Sequence, residues 1–186
     1  MRLILASASP RRAELLQSAG FAFEVEPADI DEVPADGEAP DVYTLRVARE
    51  KAQQVAARHR GSDVVVLGAD TEVAMDRRIF GKPVDGLDAR RMLGTLSGQE
   101  HWVHTGVVLI GPTRRVEEVV STLVSFAPLT AEEIDWYVAG GEPMGKAGAY
   151  AIQGLGARFI ERIEGSWSNV VGLPVATIHR LLGEVQ

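Results

Sequence analysis

The sequence predicts an α/β fold, and three stretches carry the prediction. An apolar run at residues 3–6 meets a Ser-Pro turn and then a helical pattern. A β-branched run at 63–67 shows no alternation, as expected of a central strand covered on both faces. Two long strand-like stretches, 101–110 and 116–126, are joined by Gly111-Pro112-Thr113 and read as an antiparallel hairpin. At 186 residues the chain suits one domain. A chain of that length buries roughly 70% of its unfolded surface and needs no metal or disulfide staple.

In chain order, the strand at 3–6 leads into Ser7-Ala8-Ser9-Pro10-Arg11-Arg12. Ser9 suits an N-cap and Pro10 a first helical position, so a helix starts there and ends near Gly20. Its first turn carries Arg11 and Arg12, the wrong sign for a helix N-terminus. Free N–H groups, the hydroxyls of Ser7 and Ser9 and two guanidinium groups can be reconciled by an anion with several oxygens, such as a phosphate chain. The alternative is that both arginines bend away onto surface carboxylates. A second strand at 21–25 precedes an acidic loop, 29–36, which is either simply solvated or offers Asp31 or Glu32 to Mg²⁺. A helix over 41–59 turns Val42, Leu45, Ala48, Ala52 and Val55 inward. Lys51 falls within that arc and must snorkel out or meet an anion.

The strand at 63–67 ends in Gly68-Ala69-Asp70-Thr71. Active groups of open α/β sheets sit beyond the carboxyl ends of such strands, so Asp70 is the candidate catalytic acid; its other reading is a turn cap. Residues 72–75 continue as strand, and Asp76-Arg77-Arg78 forms a hairpin tip. Lys82, in Gly81-Lys82-Pro83, follows by one hairpin, so it and Asp70 can face one cleft; the stretch is no Walker loop, because Pro83 follows the lysine and no glycine precedes at the right spacing. A helix covers 88–96. His101 and His104 point to opposite faces of one strand and cannot share a metal, and no histidine receives a catalytic role. Thr130 and Glu133 form a capping-box signature for a helix over 130–139. The Gly-rich stretch 140–156 is too apolar for a linker and reads as a folded binding loop. A strand at 157–163, a turn at 165–169 and a helix over 174–182 stopped by Gly183 complete the chain.

Composition narrows the function. Net charge is −7, which argues against a general nucleic-acid binder yet allows a small polyanion at a local cluster of cations. Cysteine is absent, which removes disulfides, thiolate metal sites and cysteine nucleophiles. No apolar stretch reaches the ~20 residues that span a bilayer, and the N-terminal run is too short for a signal peptide. A soluble, cytoplasmic chain is expected, without nucleic-acid or membrane partners.

Nine motifs, in order, resemble the Maf family of nucleoside triphosphate pyrophosphatases. They are Ala6-Ser7-Ala8-Ser9-Pro10-Arg11-Arg12, Ala48-Arg49-Glu50-Lys51-Ala52, Gly68-Ala69-Asp70-Thr71, Lys82-Pro83, Leu96-Ser97-Gly98, Gly141-Glu142-Pro143, Lys146-Ala147-Gly148-Ala149-Tyr150, Ile152-Gln153-Gly154 and Val170-Val171-Gly172-Leu173-Pro174. The resemblance implies a single domain over 1–186 in which a bent mixed β-sheet with flanking helices, related to the ITPase fold, makes two lobes around a central cleft. It implies hydrolysis of a nucleoside triphosphate to monophosphate and pyrophosphate with Mg²⁺ or Mn²⁺. Asp70 matches the catalytic acid and Glu32 a polar residue lining the cleft; the two carboxylates are the candidate metal ligands. Arg11, Thr71 and Gln153 match positions linked to base choice. Ser7, Ser9, Arg12, Lys51, Lys82 and Lys146 join them as substrate-binding candidates. Lys-Ala-Gly-Ala-Tyr with Ile-Gln-Gly looks like the branch that acts on dTTP and UTP in nucleotide house-cleaning. Ala151 stands where relatives often have glycine, and Trp167 where tyrosine is common. A homodimer is expected. The alternatives are a non-catalytic nucleotide sensor acting on cell division, or the same enzyme acting on 7-methyl-GTP or another modified nucleotide.

Overall fold

The computed structural model describes residues 2–59 and 63–185. The chain runs β1 (Arg2–Leu5), α1 (Pro10–Ser18), β2 (Glu24–Val25), α2 (Pro40–Ala56), β3 (Val64–Met75), β4 (Arg78–Phe80), α3 (Gly86–Leu96), β5 (Glu100–Ile110), β6 (Arg115–Phe126), α4 (Ala131–Ala139), β7 (Ile160–Glu164), α5 (Trp167–Val171) and α6 (Val175–Val185). Among the described residues the strands follow the order β2-β1-β3-β5-β6-β7, with β4 paired to β3. The sheet is mixed: β1 pairs in parallel with β2 and β3, whereas β4 and β7 pair antiparallel with β3 and β6. The chain folds as two compact units. The first comprises Met1–Thr71, Thr105–Val120 and Gly172–Gln186, and the second Glu72–His104 and Ser121–Val171.

In the first unit both faces of the strands are buried, which is why residues 63–67 show no alternation. Leu3, Leu5, Val65, Leu67 and Ala69 pack with Leu16 of α1 and Ile178 of α6. Ile4, Ala6, Val64 and Val66 pack on the other side with Ala48, Ala52 and Val55 of α2. Two glycines let α2 lie backbone against backbone on the strands. A Cβ at Gly68 would stand 2.2 Å from the Ala48 carbonyl oxygen, and one at Gly106 2.6 Å from that of Thr44. Side chains alternate along a strand, so Asp70, two residues beyond Gly68, points toward α2, and Thr71 points the other way.

In the second unit Phe80, Leu93, Phe126, Tyr137, Tyr150 and Phe159 share one core. Asp76 and Arg77 both have positive φ, 48° and 67°, which suits the tight turn between β3 and β4. The Asp85 side chain caps α3 by accepting from the Asp88 amide at 2.8 Å. Thr130 and Glu133 form the expected capping box on α4.

Six sequence expectations shift. Val42, expected on the inner face of α2, is 56% exposed, because it lies in the first turn of the helix. The strand at 63–67 does not stop at Gly68 but runs on over Val64–Met75, so Asp70 lies within a strand rather than beyond its end. The strand at 21–25 shrinks to Glu24–Val25, because it pairs only with Ile4 and Leu5 at the sheet's edge. The last strand starts at Ile160, since Leu155–Phe159 wind into a 3-10 turn in which the Ala157 amide donates to the Gly154 carbonyl at 3.3 Å. The turn at 165–169 leads into the short helix α5, whose Asn169 amide donates to Ser166 Oγ at 3.3 Å. Helix α6 passes through Gly183, because burying Val185 outweighs the roughly 1 kcal/mol that an interior glycine costs.

Candidate functional site

The first unit brings Lys51, Asp70 and Glu32 together. Asp70 ends the buried half of β3 and is only 4% exposed; Lys51, on the inner face of α2, is 7% exposed. Lys51 Nζ lies 2.7 Å from Asp70 Oδ1 and 2.8 Å from Glu32 Oε1, whose side chain is 39% exposed. The lysine therefore meets anions, one of the two outcomes that its place in the apolar arc allowed, and they are carboxylates of the protein itself. Asp70 Oδ2 is buried and has no hydrogen-bond partner. A buried carboxylate oxygen left in that state is expensive unless something else uses it.

The acidic loop that carries Glu32 is stitched to α2. Gln54 accepts from the Asp29 amide at 2.7 Å and donates to the Asp29 carbonyl at 2.6 Å. Arg46 donates to the Val33 carbonyl at 3.0 Å and pairs with Glu38, whose carboxyl it holds down to about 2. Residues 46, 50 and 54 recur at helical spacing, so one flank of the helix holds the loop that delivers Glu32.

On the opposite face of β3, Arg12 is buried and its donors go to protein oxygens. Nε donates to the Gly172 carbonyl at 2.9 Å, and one terminal nitrogen donates to Ser7 Oγ at 3.0 Å and the Ala69 carbonyl at 2.9 Å. The other donates to Thr71 Oγ1 at 3.1 Å. Thr71 Oγ1 lies 2.9 Å from Thr105 Oγ1 and 3.2 Å from the Gly172 carbonyl. The charge conflict at the start of α1 is thus met, for Arg12, by carbonyls and hydroxyls of the protein itself. Ser9 is the N-cap residue but makes no side-chain cap bond; its amide donates to Ser7 Oγ at 3.2 Å. Arg11 is half-buried beside it.

Lys82, Lys146 and Gln153 belong to the second unit. Lys82 is exposed after β4, and the Gly81 carbonyl before it accepts from the Gly148 amide at 3.2 Å. That bond joins the Lys82 segment to the Lys-Ala-Gly-Ala-Tyr turn. Lys146 Nζ donates to the Glu142 carbonyl at 2.5 Å. Gln153 is exposed. Tyr150 is buried, and its hydroxyl lies 2.8 Å from His101 Nε2, with Phe126 edge-on to both rings. Burial lowers the His101 pKa to about 4 and raises that of Tyr150.

Among the described residues no group of three or more histidines, aspartates or glutamates could enclose a metal. Asp70 and Glu32 converge on one ammonium, and Asp70 Oδ2 is buried and orphaned. That donor set fits a hard divalent cation such as Mg²⁺, which takes one or two carboxylates and completes its shell with water and phosphate oxygens.

The sequence alone gives no role to Gly172, Thr105, Gly106 or Glu142. Gly172, Glu142 and Gly68 lie within the quoted motifs, which do not name their partners. The small residues before Asp70 suggest close approach of a ligand or metal, whereas at Gly68 the backbone that approaches is that of α2. Gly106 carries no local signal, because the helix it admits is distant in sequence.

A family model described as Maf-like protein matches residues 2–185. A Koribacter versatilis protein named dTTP/UTP pyrophosphatase is 50% identical over 182 residues, spanning 98% of this chain and 93% of its own. A Shewanella oneidensis protein of the same name is 50% identical over 190 residues, spanning 99% and 98%. In fold, the chain is similar to the Staphylococcus aureus Ham1 protein, with a TM-score of 0.57 across 100% of both chains at 11% identity.

Proposed function

This chain belongs to the Maf family, and on that premise we propose that it hydrolyses dTTP and UTP to the monophosphate and pyrophosphate. One observation carries the reading: Asp70 is buried at the end of the inward half of β3, braced by Lys51 on one oxygen and bare on the other. Such an arrangement costs stability, and buried polar groups left in that state cluster at functional sites. The names of relatives at about half identity supply the substrate.

Asp70 takes a proton at Oδ2 from a water directed at the α-phosphorus. The new bond joins the water oxygen to phosphorus, the bond to the bridging oxygen breaks, and pyrophosphate departs with its electron pair. Lys51 holds Asp70 and Glu32 in register. Arg12 acts as a brace that fixes the Thr71 hydroxyl beside the site. In the first unit Ser7, Ser9 and Arg11, at the start of α1, are the proposed triphosphate contacts and Thr71 a proposed base contact; in the second unit Lys82 and Lys146 are proposed for the triphosphate and Gln153 for the base. Asp70 and Glu32 would hold a divalent cation, Mg²⁺ or Mn²⁺, which supplies further charge neutralisation on phosphate oxygens when bound. Phosphoryl chemistry of this kind is mainly positioning and electrostatics, so one acid and clustered cations suffice. We place the enzyme in the cytoplasm as a homodimer; among the described residues no helix is long and apolar enough to cross a membrane.

The deciding measurement is pyrophosphate release from dTTP, UTP, CTP and 7-methyl-GTP with Mg²⁺, for the native chain and Asp70→Asn. The expected result is turnover of dTTP and UTP by the native chain and none by the variant. Near-normal turnover by a folded Asp70→Asn protein would remove Asp70 from the chemistry. Nucleotide binding without turnover by the native chain would favour a sensor.

A further inference from the structure

The Gly-rich loop of the second unit is held by a side-chain hub that the proposed chemistry does not use. Glu142 and Tyr137 form it. Glu142 Oε1 accepts from the Tyr137 hydroxyl at 2.9 Å and from the Gly156 amide at 3.0 Å. Its Oε2 accepts from the Leu155 amide at 3.0 Å. The Tyr137 hydroxyl in turn accepts from the Ala151 amide at 3.3 Å. The carboxylate thus occupies a small nest of backbone amides. Burial pushes the Glu142 carboxyl up, but the Leu155 and Gly156 amides, the Tyr137 hydroxyl and the Lys146 charge outweigh it and hold it below the usual range.

The pinned residues bracket Gln153: Ala151 lies two positions before it, Leu155 and Gly156 two and three after. Between them Gly154 has φ +86°, and a Cβ there would stand 2.7 Å from Glu142 Oε2. Only a glycine fits that close approach. Tyr137 is fully buried, with Phe159 edge-on at 5.0 Å, so the hub rests on the core. Gln153 itself is exposed. The loop therefore holds its backbone rigidly on both sides of one outward amide side chain. An amide offers one donor and one acceptor direction, the complement of the imide edge of uracil or thymine. Such readout is selective only when the amide is held in place.

We propose that Glu142 and Tyr137 are positioning residues that hold Gln153 to read the pyrimidine base. This rests on the functional reading for the base but not for the hydrolysis. The test is equilibrium binding of α,β-imido-dUTP, α,β-imido-dCTP and inorganic tripolyphosphate. In Glu142→Gln an amide NH₂ must face a backbone N–H, so the hub opens; in Tyr137→Phe the Ala151 amide loses its acceptor. Both variants should weaken α,β-imido-dUTP about tenfold and lower the preference over the dCTP analogue roughly fivefold, the scale on which lost polar contacts reduce discrimination. Tripolyphosphate, which has no base, should bind as before, and Glu142→Gln should add no further loss in a Gln153→Ala background. Tyr137→Phe, a milder change, decides the matter if Glu142→Gln does not fold. Equal weakening of tripolyphosphate, an unchanged dUTP preference, additive losses with Gln153→Ala, or no pyrimidine preference in the native chain would each overturn the proposal. Selective binding by a native chain that releases no pyrophosphate would sink the hydrolysis reading and leave the hub's role standing.

Discussion

Replacing Lys51 by methionine separates the two tasks of the buried pair. Lys51 Nζ and Asp70 Oδ1 are 2.7 Å apart, and both side chains are almost wholly buried. At an effective dielectric of about 20, that separation gives roughly 6 kcal/mol of gross attraction. Desolvation offsets much of it, but removing one partner leaves the other charged and alone, which costs about 3–5 kcal/mol. Methionine matches the lysine stem in length and keeps the contacts along α2. Asp70 would then have neither oxygen satisfied, because Oδ2 is already bare. Asp70→Asn should be milder, about 1–2 kcal/mol, since Lys51 keeps Glu32 and an amide oxygen still accepts. The double variant should be more stable than Lys51→Met alone, with a coupling of about 2 kcal/mol or more. Urea unfolding of the four proteins gives these values, and pyrophosphate release read on the same samples should be absent in every protein that lacks Asp70 or Lys51. A Lys51→Met protein within about 1 kcal/mol of the native chain would show that the two groups do not hold each other, contrary to the energetics of buried pairs.

Three further outcomes follow from the geometry. Gly68→Ala drives a methyl to 2.2 Å from the Ala48 carbonyl oxygen and should lower stability by about 3 kcal/mol or more, read as a lower thermal midpoint; an unchanged midpoint would mean that α2 lies farther from β3. His101 is buried and its pKa falls from 6.5 to about 4, so the unfolded chain binds the proton more readily. Stability should therefore be full above about pH 6.5 and fall by up to about 3 kcal/mol toward pH 4, and His101→Phe should lose that share of the slope in a pH series of thermal melts. Lys82→Ala should keep its far-ultraviolet circular dichroism and lose at least about tenfold in kcat/KM for dTTP, as removed transition-state charge does; an unchanged rate would place Lys82 outside the site.

How much of this was legible in the sequence depended on whether the deciding contact was local. The capping box at Thr130 and Glu133 reads directly, because its partners are one turn apart. The buried strand through 64–67 and the inward lysine of α2 also read directly, since periodicity alone sets which face each residue takes. Arg12 did not. Its position at a helix start offered an external anion or surface carboxylates as partners and gave no sign of the acceptors Thr71 and Gly172, 59 and 160 residues away. Nor did the start of the last strand, because residues 157–159 belong to a 3-10 turn whose leading amides, Leu155 and Gly156, bond to a carboxylate 13 and 14 residues earlier. The motif Gly141-Glu142-Pro143 was visible from the start, but its physical task depended on where the chain returned.

The guanidinium of Arg12 also says something about synthesis on the ribosome. It fastens the late arrival of Gly172 to strands made much earlier, so the unit that houses Asp70 is assembled from three stretches that lie apart in the sequence, Met1–Thr71, Thr105–Val120 and Gly172–Gln186. Domains tend to fold as they emerge, N-terminal parts first. Here the early segments must wait, with Arg12 lacking one of its acceptors, until Gly172 has been translated. Nascent chains stalled before Gly172 should therefore leave the start of α1 more open to protease than chains extended past it.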